Sequence, residues 1–205
     1  MFFWTKPGGS VKAKVIQFDP ATGKWKVPPG FVQKNIGYVT NGVLDPDLDQ
    51  IVQIVDGTAW HLSLTTGQWT PYPLPGDVMR FNVISARLGR DVWWMNRKEV
   101  LEAYNLDTHK LTSHGPWPYP VQDGWTTVRT FAYGDKILVV WPTSLSGQQE
   151  YAALYDPATK TWTKLDQGEA RGNAAMLHST GKLIRMGGMA PPEDQNKFVW
   201  IGTLQ

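Results

Sequence analysis

Three arginines stand at similar places in the chain and could bind an anionic group. Arg80 and Arg171 fall at the start of a predicted first strand of a repeated unit, and Arg129 falls further into such a strand. A guanidinium presents its N–H donors as a planar fork that fits a carboxylate or a phosphate. The same donors can instead bond to backbone carbonyls of neighbouring strands. The sequence leaves both interpretations open.

A second set of candidate contact residues is aromatic. Residues 115–125 hold Trp117, Tyr119 and Trp125 among three prolines. Proline restricts the backbone, so these rings would lose little conformational entropy on binding a partner. Rigid aromatic side chains are also typical anchors of protein interfaces. The alternative is that they pack between sheets, as large aromatic side chains do in β-rich proteins.

The carboxylates and histidines do not predict a metal site. Asp45, Asp47 and Asp49 alternate as in a calcium loop, but the following glycine and the distal glutamate of such a loop are missing. A solvated turn is therefore predicted at 45–49. The four histidines share no ligand spacing, so surface or core positions are expected; they are His61, His109, His114 and His178.

We predict no catalytic residues and no cofactor, and an enzyme is the less favoured class. The chain has no cysteine, so it has no thiol chemistry and no disulfide. No nucleophile elbow, phosphate loop or dinucleotide fingerprint occurs. A glycosidase needs two carboxylates that face each other, and Asp123 and Glu169 form no such motif.

A repeated segment must position these residues. Each copy has a short apolar strand, a tight polar turn and a bulky residue that opens a second strand. The copies are Phe18–Trp25, Leu62–Trp69, Tyr104–Leu111 and Tyr155–Trp162. Their closing residues lie 44, 42 and 51 residues apart. A period of roughly 40 to 50 residues is typical of four-stranded propeller blades.

The repeat predicts strands with little or no helix. The second unit is expected to have strands at Asn35–Thr40, Gln50–Val55 and Thr58–Leu64, with a fourth opening at Trp69. The central strands of the next two units are predicted at Asp91–Met95, Val100–Asn105, Lys136–Trp141 and Tyr151–Tyr155. Each end of the chain shows three strands, so the ring closes in an unusual way, belongs to a longer propeller, or needs a second chain.

Several segments resemble a kelch repeat. Residues 171–188 have a polar strand, a Gly-Lys turn and an apolar strand that ends in Gly187-Gly188. Tyr155-Asp156-Pro157 with Trp162, and Phe18-Asp19-Pro20 with Trp25, match the last part of the pattern. The second and third units depart from it, since both lack the diglycine and the Asp-Pro pair.

The resemblance implies an all-β, kelch-type β-propeller with four to five four-stranded antiparallel blades. We expect one domain over 1–205, with blades near 1–29, 30–75, 76–120, 121–167 and 168–205. In kelch-like propellers the loops between the second and third strands, and between successive blades, share one rim above a central funnel. Residues 115–125 would lie on that rim, and the three arginines could face the funnel.

The charge and hydropathy of the sequence narrow the classes of partner that we expect. Lys and Arg total 20 against 18 Asp and Glu, so the net charge of +2 is too small for a strong nucleic-acid or membrane-surface footprint. The apolar run at Met1–Trp4 is too short for a secretory signal. We therefore expect no nucleic acid and no membrane, and a cytoplasmic location is favoured.

The favoured function is a non-catalytic scaffold that binds a protein or peptide through its rim loops and funnel. The predicted binding residues are Arg80, Arg129, Arg171, Trp117, Tyr119 and Trp125. A glycan-binding propeller is the alternative, because aromatic faces stack on sugar rings. A sialidase-like or other glycosidase is less favoured, and a second copy that completes the ring is an alternative partner.

Overall fold

Every regular element that the structure describes is a β-strand. The structure is a computed structural model that describes residues 2–5, 14–19, 21–27, 42–55, 57–75, 85–96, 98–119, 128–142, 149–165, 168–169, 173–177, 182–186 and 199–203. Within these ranges there is no helix, and so none that could cross a membrane. The prediction of an all-β fold is confirmed.

The strands form five antiparallel sheets that follow one another along the chain. The first holds β1 (Phe2–Thr5), β2 (Lys14–Asp19) and β3 (Lys24–Lys26). The second holds β4 (Val43–Asp45), β5 (Gln50–Val55), β6 (Thr58–Ser63) and β7 (Trp69–Pro73). The third holds β8 (Ala86–Leu88), β9 (Asp91–Met95), β10 (Val100–Asn105) and β11 (Leu111–Pro116).

The fourth sheet has an additional short strand. It holds β12 (Arg129–Tyr133), β13 (Lys136–Pro142), β14 (Gln149–Asp156) and β15 (Thr161–Lys164), and β16 (Gly168–Glu169) also pairs with β14. The fifth holds β17 (Asn173–Leu177), β18 (Lys182–Met186) and β19 (Val199–Thr203). The first and fifth sheets thus have three described strands each, and the three sheets between them have at least four.

The second, third and fourth sheets pack face to face, with their first strands side by side. β8 lies beside both β4 and β12. Trp93 and Trp94 are neighbours in β9, so they point to opposite faces of the third sheet. Trp94 packs with Val52 and Ile54 of the second sheet, and Trp93 packs in a cluster with Val139 and other residues of the fourth sheet. The architecture is an incomplete β-propeller, as predicted.

The four repeated segments share one hairpin geometry. The first and last residues of each copy are directly opposed across two neighbouring strands, which are β2 and β3, β6 and β7, β10 and β11, and β14 and β15. The sixth residue of each copy has a positive φ. These residues are Gly23 at 66°, Gly67 at 71°, His109 at 55° and Lys160 at 57°. The left-handed conformation therefore recurs at one position of the repeat, whether or not it is occupied by glycine.

Local hydrogen bonds explain why this sequence pattern forms the turn. In each copy the N–H of the sixth residue donates to the carbonyl of the second residue at 2.8 to 2.9 Å. The second residue also caps the turn with its side chain. Asp19 accepts from the Ala21 N–H and Asp156 from the Ala158 N–H, both at 2.9 Å. A short polar side chain at this position therefore holds the turn.

The first described strand of the second sheet was not predicted from the sequence. β4 is Val43–Asp45, and Val43 is opposite Val52 of β5. The predicted strand Asn35–Thr40 lies outside the described residues. In the third sheet β9 and β10 have the predicted bounds, whereas in the fourth sheet β13 extends to Pro142 and β14 begins at Gln149.

Replacing Gly23 with alanine should destabilise the first hairpin although nothing lies within 4 Å of the added Cβ. A left-handed conformation costs a residue with a Cβ roughly 1 kcal/mol. Gly23→Asn should cost less, because asparagine tolerates this conformation. Denaturant unfolding of both variants measures the difference. Equal stability of G23A and the wild type would contradict the assigned turn geometry.

Candidate functional site

Polar side chains gather at one rim, where the turn between strands one and two of a sheet meets the turn between strands three and four. In the second sheet the Leu64 N–H donates to the Asp49 carbonyl at 2.8 Å, and in the third sheet the Leu106 N–H donates to the Arg90 carbonyl at 2.9 Å. Between these two sheets lies a set of residues that we call the inter-sheet network: Asp45, Asp47, Gln50, His61, Arg87, Arg90, Tyr104 and Asp107.

Asp45 is the centre of the inter-sheet network and is fully buried at the end of β4. Arg90 Nη1 and Nη2 donate to its two carboxylate oxygens at 2.7 and 3.1 Å, and Gln50 Nε2 donates at 3.0 Å. Arg87 lies 3.4 Å away. Burial would raise the pKa of Asp45, but the hydrogen bonds from Arg90 and Gln50 and the two arginine charges hold that pKa below its ordinary value.

The outer part of the inter-sheet network reaches solvent. Arg90 Nε and Nη2 donate to Asp107 at 3.1 and 2.7 Å, and its Nη1 donates to Asp47 at 2.9 Å. Arg87 also donates to Asp47. Hydrogen bonds from Arg90 are the main reason that the pKa of Asp107 is lowered. One guanidinium thus ties together three carboxylates from two sheets.

The inner part of the inter-sheet network is a hydrogen-bond chain with a fixed direction. Gln50 Nε2 donates to Asp45, so its Oε1 accepts, and it lies 3.1 Å from His61 Nδ1. His61 therefore carries its proton on Nδ1. Its Nε2 then accepts from the Tyr104 hydroxyl at 2.8 Å. The chain runs from Tyr104 of the third sheet, through His61 and Gln50 of the second, to Asp45.

Burial keeps His61 neutral. Desolvation, with a smaller contribution from nearby His109, lowers the pKa of His61 to about 4, although the Asp45 charge acts in the opposite direction. The His109 ring lies 5.4 Å from the His61 ring and stacks on Tyr72 at 3.6 Å. One ring nitrogen of His61 is bonded to Gln50 of its own sheet and the other to Tyr104 of the third sheet. His61 therefore joins the second sheet to the third.

The inter-sheet network was only partly visible in the sequence. The prediction of a solvated turn is wrong for Asp45, which is buried, and agrees with exposed Asp47 and Asp49. His61 has the predicted core position. Nothing in the sequence pattern predicted that Arg87 and Arg90 pair with Asp45, since more than 40 residues separate them. Among the described residues no group of three or more histidines and carboxylates could hold a metal ion.

Trp117 packs between the third and fourth sheets. Only 6 % of its surface is exposed, and its ring centre lies 5.6 Å from those of Trp141 and Trp162. Its backbone N–H donates to the Glu99 carbonyl at 2.7 Å. The sequence left two interpretations of Trp117 open, contact with a partner and packing between sheets. These contacts support packing.

Tyr119 is half-buried and rigidly held at the opposite rim from the inter-sheet network. Its hydroxyl lies 3.0 and 2.7 Å from the carbonyl oxygens of Ala152 and Leu165, which share its single proton. Its ring stacks on Tyr151 with the ring centres 4.6 Å apart, and Lys164 Nζ lies 4.8 Å from its ring centre. The sequence did not single out Tyr151, although it follows a predicted rim loop.

Arg129 is buried in β12, where burial lowers its pKa. It is opposite Val140, on the face of the fourth sheet away from the cluster that holds Val139 and packs against the third sheet. Arg80, Arg171 and Trp125 lie outside the described residues. That the three arginines converge therefore stays a prediction.

Comparisons with known proteins identify the fold class. No family model matches the chain, and no curated protein matches it. Among solved structures, BamB from Moraxella catarrhalis aligns with a TM-score of 0.53 at 11% identity over 95% of this chain and 52% of its own. An oligogalacturonate lyase in complex with manganese aligns with a TM-score of 0.52 at 13% identity, over 92% of this chain and 67% of its own.

A third similar structure is dipeptidyl peptidase 4 from Porphyromonas gingivalis, with a TM-score of 0.50 at 10% identity over 85% of this chain and 33% of its own. The chain thus spans between one third and two thirds of the length of these three proteins. At such low identity the likeness shows the fold alone. The chain belongs to the class of propeller-like all-β proteins.

Replacing Asp45 with asparagine should lower the free energy of unfolding by about 2–3 kcal/mol. The variant keeps the size of the side chain but leaves the two arginines without their buried partner. Asp107→Asn is the matched control and should cost under about 1 kcal/mol, because Asp107 is 54 % exposed. Denaturant titration at neutral pH compares them, and equal losses would show that Asp45 is not the centre of the inter-sheet network.

Acid should weaken the interface between the second and third sheets. The pKa of His61 is about 4 when folded and about 6.5 when unfolded. The unfolded chain therefore binds the proton first, and stability falls between pH 6.5 and pH 4, by up to about 3 kcal/mol from this group. In His61→Gln the side chain at this position cannot titrate. The stability of the variant relative to wild type should therefore rise as the pH falls from 6.5 to 4. A difference between the two proteins that is independent of pH would contradict the neutral, buried His61.

Proposed function

We propose that this chain is a kelch-like propeller scaffold that binds a protein or a peptide through the rim opposite the inter-sheet network. The propeller fold supplies a rigid frame with loops at both rims, but fold alone does not decide function. The proposal is therefore supported by a particular set of side chains at that rim. The kelch resemblance itself stays a prediction.

The observation that carries the proposal is the rigid pair of stacked rings at Tyr119 and Tyr151, which pack against the core cluster of the third and fourth sheets and are only partly buried. A hydroxyl proton shared between two backbone carbonyls fixes the Tyr119 side chain before any partner arrives. A fixed ring loses little rotamer entropy on binding, and tyrosine is among the residues enriched at interface hot spots. Lys164 beside the ring adds a positive charge that suits a carboxylate or a backbone carbonyl of a peptide.

A glycan is the second candidate partner, because the same partly buried rings could stack on a sugar ring. The peptide is favoured because Tyr119 uses its hydroxyl inside the protein. That hydroxyl is not available to a sugar. The predicted roles of Arg80, Arg129, Arg171 and Trp125 belong to the same proposal, whereas buried Trp117 would support the site from beneath.

Replacing Tyr119 with alanine should weaken peptide binding at least about tenfold, as expected for an interface hot spot. The measurement begins with selection of peptides from a random display library on the full chain, followed by affinity measurement on purified variants. Tyr133→Ala is the matched control. β12 begins at the proposed binding rim and Tyr133 is its last residue, so Tyr133 lies toward the rim of the inter-sheet network. It should change affinity less than about twofold.

Two results would contradict the proposal. Selected peptides that bind Y119A as tightly as wild type would place the site elsewhere. Binding to a glycan array that is lost in Y119A, without any selected peptide, would favour the glycan instead. Circular dichroism of each variant shows whether the fold is retained.

A further inference from the structure

The outer edge of the fourth sheet carries backbone groups that pair with no described strand. β15 is the last strand on the path β12–β13–β14–β15, and the short β16 pairs with β14 and not with β15. The Leu165 N–H, directly after β15, donates inward to the Ala152 carbonyl of β14 at 3.0 Å. Because backbone groups alternate in direction along an antiparallel strand, the N–H and C=O groups of Trp162 and Lys164 point outward.

The corresponding edge of the second sheet is blocked by proline. The Leu74 N–H, directly after β7, donates inward to the Gly57 carbonyl at 2.7 Å. By the same alternation, the outward positions of β7 include Pro71 and Pro73. Neither proline has an N–H to donate, so another strand cannot form a regular ladder with this edge.

The corresponding edge of the third sheet is interrupted by a bulge. In β11, His114 has no counterpart in the register with β10, and Pro116 is the last residue of the strand. Bulges and prolines are devices that keep edge strands from pairing with other chains. β15 has neither within Thr161–Lys164, and three of its four side chains are exposed. Of these three outer edges, the edge of β15 is thus the one that can accept a further strand.

The side chains of β15 define the chemistry of a strand that pairs with it. Trp162 packs on the core cluster of the third and fourth sheets. Lys164, two residues further on, lies on the same face, where its Nζ is 4.8 Å from the Tyr119 ring centre. Neighbours on one face of paired strands interact, and opposite charges there are favourable. A paired strand would therefore place an apolar side chain beside Trp162 and an acidic side chain beside Lys164.

We propose that the outer edge of β15 binds an extended peptide segment of the partner by strand addition, and that this segment has an apolar and an acidic residue two positions apart. Backbone hydrogen bonds give affinity in this binding mode, and alternate side chains give specificity. Lys160 and Lys164 make the edge positive at both ends, which favours an acidic segment over a second copy of the same edge. The inference rests on the proposed function, because the edge ends beside Tyr119 at the same rim.

Lys164→Pro tests the backbone pairing, because it gives β15 the residue that β7 has at the equivalent position, Pro71. The outward N–H is lost, whereas the inward bonds of β15 to β14 remain. Lys164→Ala is the matched control, since it removes the charge and keeps the N–H. Peptides selected by display on the full chain should bind K164P at least about tenfold more weakly than K164A, because a peptide carbonyl loses its donor. Equal affinities would overturn the proposal.

N-methylated peptides test the same contact on the unaltered protein, so this result does not depend on the fold of a variant. One backbone nitrogen of a selected peptide is methylated at a time. A paired strand uses alternate nitrogens, so the loss of affinity should follow a period of two. Loss without this period, together with weak binding to Y119A, would overturn strand addition and leave the proposed function standing.

Two further outcomes also count against the proposal. If no peptide is selected on the full chain, both the strand addition and the proposed function are overturned. Native mass spectrometry shows whether the edge serves a second copy instead. A wild-type dimer that becomes a monomer in K164P, but not in K164A, would assign the edge to self-association and overturn the proposal.

Discussion

The pairing of Asp45 with Arg90 is the interaction on which the junction of the second and third sheets depends. A buried carboxylate is unfavourable unless it is paired and hydrogen-bonded. Arg90 meets this requirement from the next sheet, and its remaining donors fix Asp47 and Asp107. The charge on Asp45 in turn orients Gln50, which sets the proton of His61 and its bond to Tyr104. One ion pair therefore determines the order of side chains from solvent to core.

The junction of the third and fourth sheets repeats part of this design with different chemistry. Tyr155 is at the same repeat position as Tyr104, and its hydroxyl lies 3.3 Å from Nδ1 of His114 in the preceding sheet. No described carboxylate is bonded to this pair, and the contacts around it are aromatic, including Trp93 at 4.4 Å from the His114 ring. A tyrosine that reaches back to a histidine thus joins sheets whether the surroundings are ionic or aromatic.

The sequence predicted the parts of the fold that local interactions determine. The hairpins follow from short-range hydrogen bonds, so β9 and β10 have the predicted bounds. The sequence did not predict β4, because pairing with β5 and burial between sheets select Val43–Asp45 as a strand. The candidate site was harder, since Asp45 and Arg90 are ordinary surface residues by type. Only the packing of two sheets brings Asp45 and Arg90 together. For Trp117 it is likewise burial in the folded structure that decides between packing and partner contact.

The two rims of the propeller present different kinds of side chain. At one rim the polar atoms of the inter-sheet network bond mainly to one another, because a junction between rigid sheets tolerates few unpaired buried groups. At the other rim the Tyr119 hydroxyl is used for anchoring, and its ring and that of Tyr151 are only partly buried. A partner at that rim would meet apolar surface already held in place. Loop residues at that rim can therefore vary without disturbing the ion pair that joins the second and third sheets.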